Sequence, residues 1–102
     1  MTAYNSVRFR VKPGKDQAFI DSQRRTMAQP MKGFLGGGLI KTGDRTYCFI
    51  GQWKSFDDIV AARPAMIAIL DDARPLLEDL GDGLGVTDPV SGSTVVEVPA
   101  SP

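Results

Sequence analysis

The sequence predicts an α+β fold with the element order β-α-β-β-α-β, in which an antiparallel sheet carries both helices on one face. Three observations indicate it. Residues 4–11 alternate apolar and polar side chains, as a half-buried strand does. Residues 42–45, Thr-Gly-Asp-Arg, form a hairpin turn signal between two strand-like segments. Residues 55–58, Ser-Phe-Asp-Asp, resemble a capping box at the start of a helix.

The first strand and the first helix are predicted from side-chain alternation and from residues that begin or end helices. One face of the strand carries Asn5, Val7, Phe9 and Val11. After a turn at residues 12–14, Asp16 favours a helix N-terminus, and Pro30 stops the helix near Gln29. The apolar stripe of this helix is thin, because Gln23 and Thr26 fall near it. Such a helix either covers a partly wet space or lies at the periphery.

The second half of the chain contains a strand hairpin, a helix and a fourth strand. The hairpin strands are Phe34–Lys41 and Thr46–Lys54. The helix begins after Ser55 and is ended or kinked by Pro64, and a further helical run follows over residues 65–80. A glycine-rich loop over residues 81–92 leads to the fourth strand, Ser93–Val98, which is rich in β-branched residues.

This order is the ferredoxin-like arrangement, also known as split βαβ. The sheet face without helices is expected to carry two arginines beside apolar or small residues: Arg8, Arg10, Leu35, Leu39, Cys48 and Ile50. A mixed face of this kind predicts a partner sheet, most simply from a second copy of the chain. Residues 1–98 are expected to form a single domain, followed by a disordered tail at residues 99–102.

The hairpin turn also predicts which residues face one another. If residues 43 and 44 form the turn, paired residue numbers sum to 87, so Phe34 lies opposite Trp53. The same face then carries the candidate substrate-binding residues Phe34, Tyr47, Phe49, Gly36 and Gly38. Glycines in place of larger strand residues leave volume above the sheet, which either a helix fills by close approach or a ligand occupies. A slip of one residue would put the glycines and Trp53 on opposite faces.

The composition excludes several classes of site. The formal net charge is zero and no basic stripe is present, so nucleic acid and anionic membranes are poor partners. With no histidine and only Cys48, the chain lacks the residues of a histidine-based catalytic pair, a zinc site or an iron–sulfur site, and we expect no metal. The N-terminus does not resemble a signal peptide, and a single cysteine fits a cytoplasmic protein.

Arg63 and Asn5 are candidate site residues because both fall on otherwise apolar faces. Arg63 follows Phe56, Ile59 and Val60 at helical spacing. Its guanidinium either snorkels to a carboxylate at the edge of the core or faces a pocket as a fixed cation for a phenolate-like group. Asn5 either meets solvent at the start of its strand or offers its amide to the same pocket.

Three segments resemble the antibiotic biosynthesis monooxygenase superfamily, the dimeric α/β barrels. They are V-R-F-R-V-K-P-G-K at residues 7–15, M-K-G-F at residues 31–34 and F-I-G-Q-W-K-S-F-D-D at residues 49–58. The similarity covers most of residues 4–98. It implies a homodimer in which two ferredoxin-like subunits join their sheets into a barrel, with a cavity in each subunit between sheet and helices.

The resemblance also implies a function. Family enzymes oxidise electron-rich aromatics such as anthrones or quinols with molecular oxygen and without a metal or flavin, so we expect no cofactor. Trp53 matches a family tryptophan, Asn5 lies on the corresponding strand, and Arg63 stands near the position of a histidine in a haem-degrading branch. Haem degradation is therefore disfavoured, and we expect Asn5 and Trp53 to position a small aromatic molecule and Arg63 to stabilise its anion. The alternative is a non-catalytic small-molecule-binding or stress-associated protein on the same scaffold.

Overall fold

The computed structural model describes all of residues 1–102 and contains one four-stranded antiparallel sheet and two α-helices. The strands are β1 (Ala3–Arg10), β2 (Phe34–Gly43), β3 (Thr46–Trp53) and β4 (Asp88–Ser93). The helices are α1 (Asp16–Thr26) and α2 (Phe56–Ala73), and a short 3-10 turn at Arg74–Leu76 follows α2. The sheet order is β2-β3-β1-β4. The predicted ferredoxin-like α+β class and the order β-α-β-β-α-β are confirmed.

The core lies between the inner face of the sheet and the two helices, and it forms two clusters. The larger cluster contains Phe9, Val11, Phe19, Tyr47, Phe49, Ala73 and Leu77. The smaller cluster contains Ala3, Trp53, Ile59 and Ala62. The alternation of β1 explains the division between faces, because Ala3, Asn5 and Phe9 are buried while Tyr4 and Arg8 are exposed.

The start of α2 follows its sequence signal. The Ser55 hydroxyl accepts a hydrogen bond from the Asp58 backbone N–H at 3.2 Å, and it donates one to the Asp58 carboxylate at 3.0 Å. Ser55 has an extended backbone, as an N-cap residue requires. This cap fixes the point at which the chain leaves Trp53 and enters the helix.

The hairpin register agrees with the prediction at only one pair. Phe34 does lie opposite Trp53, but a bulge at Leu35 then shifts the pairing, so that Gly36 faces Gln52 and Gly38 faces Ile50. A second irregularity lies between residues 41 and 43. Because a one-residue shift turns side chains to the other face, Gly36 and Gly38 lie on the outer face of the sheet and not beside Trp53. Conversely, Leu39 pairs with Phe49 and is partly buried on the inner face, not the outer one as predicted.

The helices also depart from their predicted bounds. α2 continues through Pro64 as one helix of 18 residues, although the proline was expected to end or kink it. Pro64, Val60 and Ala61 are exposed, so the carbonyl that loses its helical partner to the proline lies on the solvent side, where water can pair with it. Residues beyond Leu76 are not helical. Leu77 has an extended backbone and forms an isolated β-bridge with Val11, the residue that follows β1. α1 ends at Thr26, three residues before the predicted end.

The fourth strand lies earlier in the chain than predicted. β4 comprises Asp88–Ser93, within the segment expected to be a loop, and it pairs with β1 from Ala3 opposite Ser93 to Arg8 opposite Asp88. An ion pair between Arg8 and Asp88 supports this register, and Pro89 is tolerated because β4 is an edge strand. The β-branched run at residues 94–98 contains three exposed valines and is not a strand.

The outer face of the sheet carries an exposed apolar surface, which we call the outer patch. It consists of Tyr4, Ile40 and Ile50, whose exposed fractions are 42%, 48% and 41%. The glycines Gly36 and Gly38 lie among these residues around a shallow depression. Neither helix has the length and apolarity that crossing a bilayer requires.

Candidate functional site

A cavity of about 480 Å³ lies between the inner sheet face and the two helices. Its volume falls within the usual range for small-molecule sites. Most of its wall is apolar and comes from the strands and from one side of α2: Val7, Phe9, Phe49, Pro89, Ile59, Met66, Ile67 and Leu70. Its polar wall comes from five residues on four elements or their flanks: Asn5, Gln23, Arg63, Thr87 and Ser91. The cavity contacts both core clusters, so its shape depends on the packing of the whole domain.

Asn5 and Trp53 form one hydrogen-bonded unit at the wall of the cavity. The Trp53 indole Nε1–H donates to the Asn5 carbonyl Oδ1 at 2.8 Å. Trp53 has no exposed surface and Asn5 is 5% exposed, so only the asparagine reaches the cavity wall. The Asn5 amide Nδ2 contacts the Met66 sulfur at 3.7 Å, a weak acceptor. An amide held on one side by a strong bond and on the other by a weak one is oriented yet still able to donate to a ligand.

Gly51 makes room for this unit. It lies opposite Asn5 in the sheet. A Cβ atom at position 51 would lie 2.6 Å from Asn5 Oδ1 and 3.1 Å from carbon atoms of Phe34 and Phe49. The absence of a side chain therefore lets the asparagine carbonyl reach the indole.

Phe34 supports the site from behind. Its ring meets Trp53 edge-on, with 5.0 Å between ring centroids, and stacks on Phe49 with 6.3 Å between centroids. The predicted neighbourhood of Phe34 and Trp53 is confirmed. Phe49 lies on the cavity wall, whereas Phe34 packs against the indole away from it.

Arg63 borders the cavity from α2. Four other arginines of the chain form ion pairs, at Asp88, Asp72, Glu78 and Asp71, but the Arg63 guanidinium has no carboxylate within 4.0 Å and no side-chain hydrogen bond. Arg74, which like Arg63 directly precedes a proline, pairs with Asp71 at 3.3 Å. Arg63 is exposed, so water solvates its charge when no ligand is present.

Tyr47 lies away from the cavity, at the other end of the larger core cluster. Its hydroxyl donates a hydrogen bond to Asp16 at 2.6 Å, and its ring packs 5.4 Å from Phe19. The hydrogen bond to the Asp16 carboxylate, together with burial, raises the pKa of Tyr47 to about 12. This tyrosine joins β3 to the start of α1 and does not contact the space where a ligand would bind.

The structure thus brings together part of the predicted site. Asn5, Phe49 and Arg63 line the cavity and Trp53 supports Asn5, whereas Phe34, Tyr47, Gly36 and Gly38 do not line it. The sequence interpretation missed Gln23, Met66 and the residues of β4. Gln23 had a detectable signal, because it lies four residues from both Phe19 and Met27 on a helical stripe that is otherwise apolar. The β4 residues had no such signal.

The fold matches solved structures, whereas no protein-family model and no curated protein matches the chain. SnoaB from Streptomyces nogalater, a cofactor-independent oxygenase, is 21% identical, with a TM-score of 0.72 and coverage of 97% of this chain and 98% of that chain. A proposed antibiotic biosynthesis monooxygenase from Chloroflexus aurantiacus J-10-fl is 16% identical, with a TM-score of 0.71 and the same coverage. A protein of unknown function from Nitrosomonas europaea is 18% identical, with a TM-score of 0.74 and coverage of 98% and 96%. The chain therefore shares its fold with these solved structures, which include a proposed antibiotic biosynthesis monooxygenase and a cofactor-independent oxygenase.

Proposed function

We propose that this protein is a cofactor-independent oxygenase that oxidises a small reduced aromatic molecule, of the quinol or anthrone type, in the cavity between sheet and helices. The observation that carries the proposal is the pairing of an apolar cavity of about 480 Å³ with one unpaired cation, Arg63, at its border. Such a cavity suits a flat hydrophobic ring system, and the cation suits the oxyanion that this ring system forms on deprotonation.

The chemistry needs little from the protein. Loss of a proton converts an anthrone to its enolate, which passes one electron to molecular oxygen and gives a substrate radical and superoxide. The two recombine to a peroxide on the substrate carbon, and loss of water leaves a carbonyl, so that one oxygen atom enters the product and the other leaves as water. The protein has to bind the ring, exclude bulk water and favour the anion.

The polar wall of the cavity supports a mechanism in which the protein binds the substrate and favours its anion. It contains amides, hydroxyls and one guanidinium but no carboxylate or imidazole that could act as a general base. The protein then acts by lowering the pKa of the bound substrate, and the proton leaves to water at the exposed side near Arg63. Asn5, oriented by Trp53 at 2.8 Å, donates its amide to an oxygen of the substrate.

The experiment is oxygen consumption by purified, metal-free protein with a panel of anthrones and hydroquinones. We expect consumption above the rate without protein, and a loss of about a hundredfold in Arg63→Ala, which removes the group that stabilises the oxyanion. Arg74→Ala is the matched control, because Arg74 also precedes a proline but pairs with Asp71 away from the cavity. If members of the panel bind but no oxygen is consumed, the protein binds small molecules and is not an oxygenase. Full activity in Arg63→Ala would show that Arg63 does not stabilise the oxyanion.

We also propose that the protein is a cytoplasmic homodimer that associates through the outer patch. Ile40 and Ile50 there are 48% and 41% exposed on adjacent strands, and association of two sheets would cover them. Ile50→Lys is expected to give a monomer in light scattering. Val60→Lys is the matched control, because Val60 is also 41% exposed but lies on α2, away from the sheet. A native protein that is monomeric at all concentrations would refute the dimer.

A further inference from the structure

Gln23 is a buried amide for which the protein supplies no partner. It lies on α1 between Phe19 and Met27, each four residues away, and it is only 7% exposed. Its neighbour Ser22, which is also buried, donates a hydrogen bond to Asp72 at 2.6 Å. The Gln23 side chain takes part in no comparable bond. Burial of an unpaired amide is unfavourable, so a glutamine in this position calls for a physical reason.

The cavity explains why a glutamine without a protein partner lies at this position. No completely buried side-chain nitrogen or oxygen of the protein lacks a hydrogen-bond partner. Because Gln23 makes no side-chain hydrogen bond, its amide atoms must keep contact with open space, and the open space that Gln23 lines is the cavity. The amide is therefore available to whatever occupies the cavity.

The position of Gln23 relative to the other polar groups indicates what it binds. Arg63 reaches the cavity from α2 and Asn5 from β1, whereas Gln23 reaches it from α1. A guanidinium selects an anionic oxygen, but a carboxamide is neutral and offers both a donor and an acceptor. It therefore suits a neutral hydroxyl, which can both accept and donate.

We propose that Gln23 is a specificity-determining residue that hydrogen-bonds a neutral hydroxyl on an aromatic ligand whose anionic oxygen faces Arg63. The proposal rests on the function proposed above, because it takes the cavity to hold an aromatic anion. It adds that the ligand carries a second oxygen substituent, so that the protein prefers a hydroxylated ring system to one with a methyl group in the same place. Such selection is strong when the unsuitable ligand leaves a buried polar group unpaired.

The test is calorimetric titration with two probes of equal shape, 6-hydroxy-2-naphthoate and 6-methyl-2-naphthoate, at a pH where the phenol is neutral. The carboxylate of each probe stands in for the substrate oxyanion, and the probes differ only in hydroxyl against methyl. In Gln23→Leu we expect the ratio of the two dissociation constants to shift roughly tenfold in favour of the methyl probe, the usual effect of one hydrogen bond. Gln17→Leu is the control, because Gln17 lies on the same helix but pairs with Asp21 on the exposed side.

The free protein provides a second readout. Because Leu at position 23 replaces an amide without a partner among apolar neighbours, Gln23→Leu is expected to unfold at the same or a higher temperature than the native protein. A lower unfolding temperature, or equal weakening of both probes, would mean that Gln23 supports the shape of the cavity and would overturn the proposal. An unchanged ratio with tight binding would overturn this proposal alone, whereas no binding of either probe to the native protein would overturn the aromatic cavity as well.

Discussion

Gly51→Ala is expected to break the contact that orients the site. The new Cβ would lie 2.6 Å from Asn5 Oδ1, and ordinary contact begins at 3.4 Å, so one of the two atoms must move by about 0.8 Å. We expect this movement to lengthen or misalign the hydrogen bond of 2.8 Å from Trp53 Nε1 to the same oxygen. The Phe34 and Phe49 rings, at 3.1 Å, limit movement of the Cβ in the other direction.

Two effects determine how much Gly51→Ala lowers the free energy of unfolding. Loss of a buried hydrogen bond costs about 1–3 kcal/mol, and overpacking by one methyl group costs a similar amount. We therefore expect the free energy of unfolding to fall by about 2–6 kcal/mol. Part of this cost should disappear when Gly51→Ala is introduced into Asn5→Ala, because the oxygen that the methyl group meets is then absent.

Urea unfolding followed by tryptophan fluorescence measures this directly, because Trp53 is the only tryptophan of the chain. Gly38→Ala is the control, since no atom lies within 4 Å of a Cβ at that position on the outer face. It should change the free energy of unfolding by no more than about 0.5 kcal/mol. Equal stability of the two variants, with native fluorescence in both, would refute the account of Gly51 and of the Asn5–Trp53 unit.

Two further predictions concern pH. Tyr47→Phe should lower the free energy of unfolding by about 1.5 kcal/mol at neutral pH, because the hydrogen bond to Asp16 is lost. The pKa of Tyr47 is raised from 10.0 to about 12, so this stabilisation is complete below pH 10 and is lost as the pH rises towards 12; a difference between the two proteins that stays constant over that range would contradict the assignment. The second prediction concerns acidic pH. The Ser22 hydroxyl and the Arg25 guanidinium lower the pKa of Asp72 from its usual 3.8. Asp72→Asn should therefore unfold at a lower temperature than the native protein above pH 4, and the two melting temperatures should converge as the pH falls below that value.

The element order could be predicted because each local signal agrees with the fold. Alternation along β1 identified the face that carries Asn5, and the cap at Ser55 fixed the start of α2. The register beyond Phe34 could not be predicted, because the bulge at Leu35 lies directly before three glycines, which contribute no side chains to specify pairing. The position of β4 was missed because its residues have low β propensity and are held by pairing with β1, a tertiary effect.

The site was predictable only where a polar residue interrupts an apolar pattern. Asn5 and Arg63 were found in this way, and Gln23 shows the same signal on a weaker stripe. Trp53 was identified by its rarity and by resemblance, but its role as the partner that orients Asn5 depends on a distance that no sequence pattern encodes. Tyr47 was assigned to the site because it shares the inner sheet face with Phe49, and that face is confirmed. It lies at the other end of the core, however, where its hydroxyl donates a hydrogen bond to Asp16.

The proposed function requires that the cavity bind a reduced aromatic and favour its anion through Arg63. The most direct measurement is an anaerobic absorbance titration of anthrone bound to the native protein and to Arg63→Ala, which gives the pKa of the bound enol without oxygen chemistry. We expect the native protein to lower this pKa relative to free anthrone by at least about one unit, and Arg63→Ala to remove most of the shift. A pKa equal to that of free anthrone, or a shift that Arg63→Ala leaves intact, would contradict it.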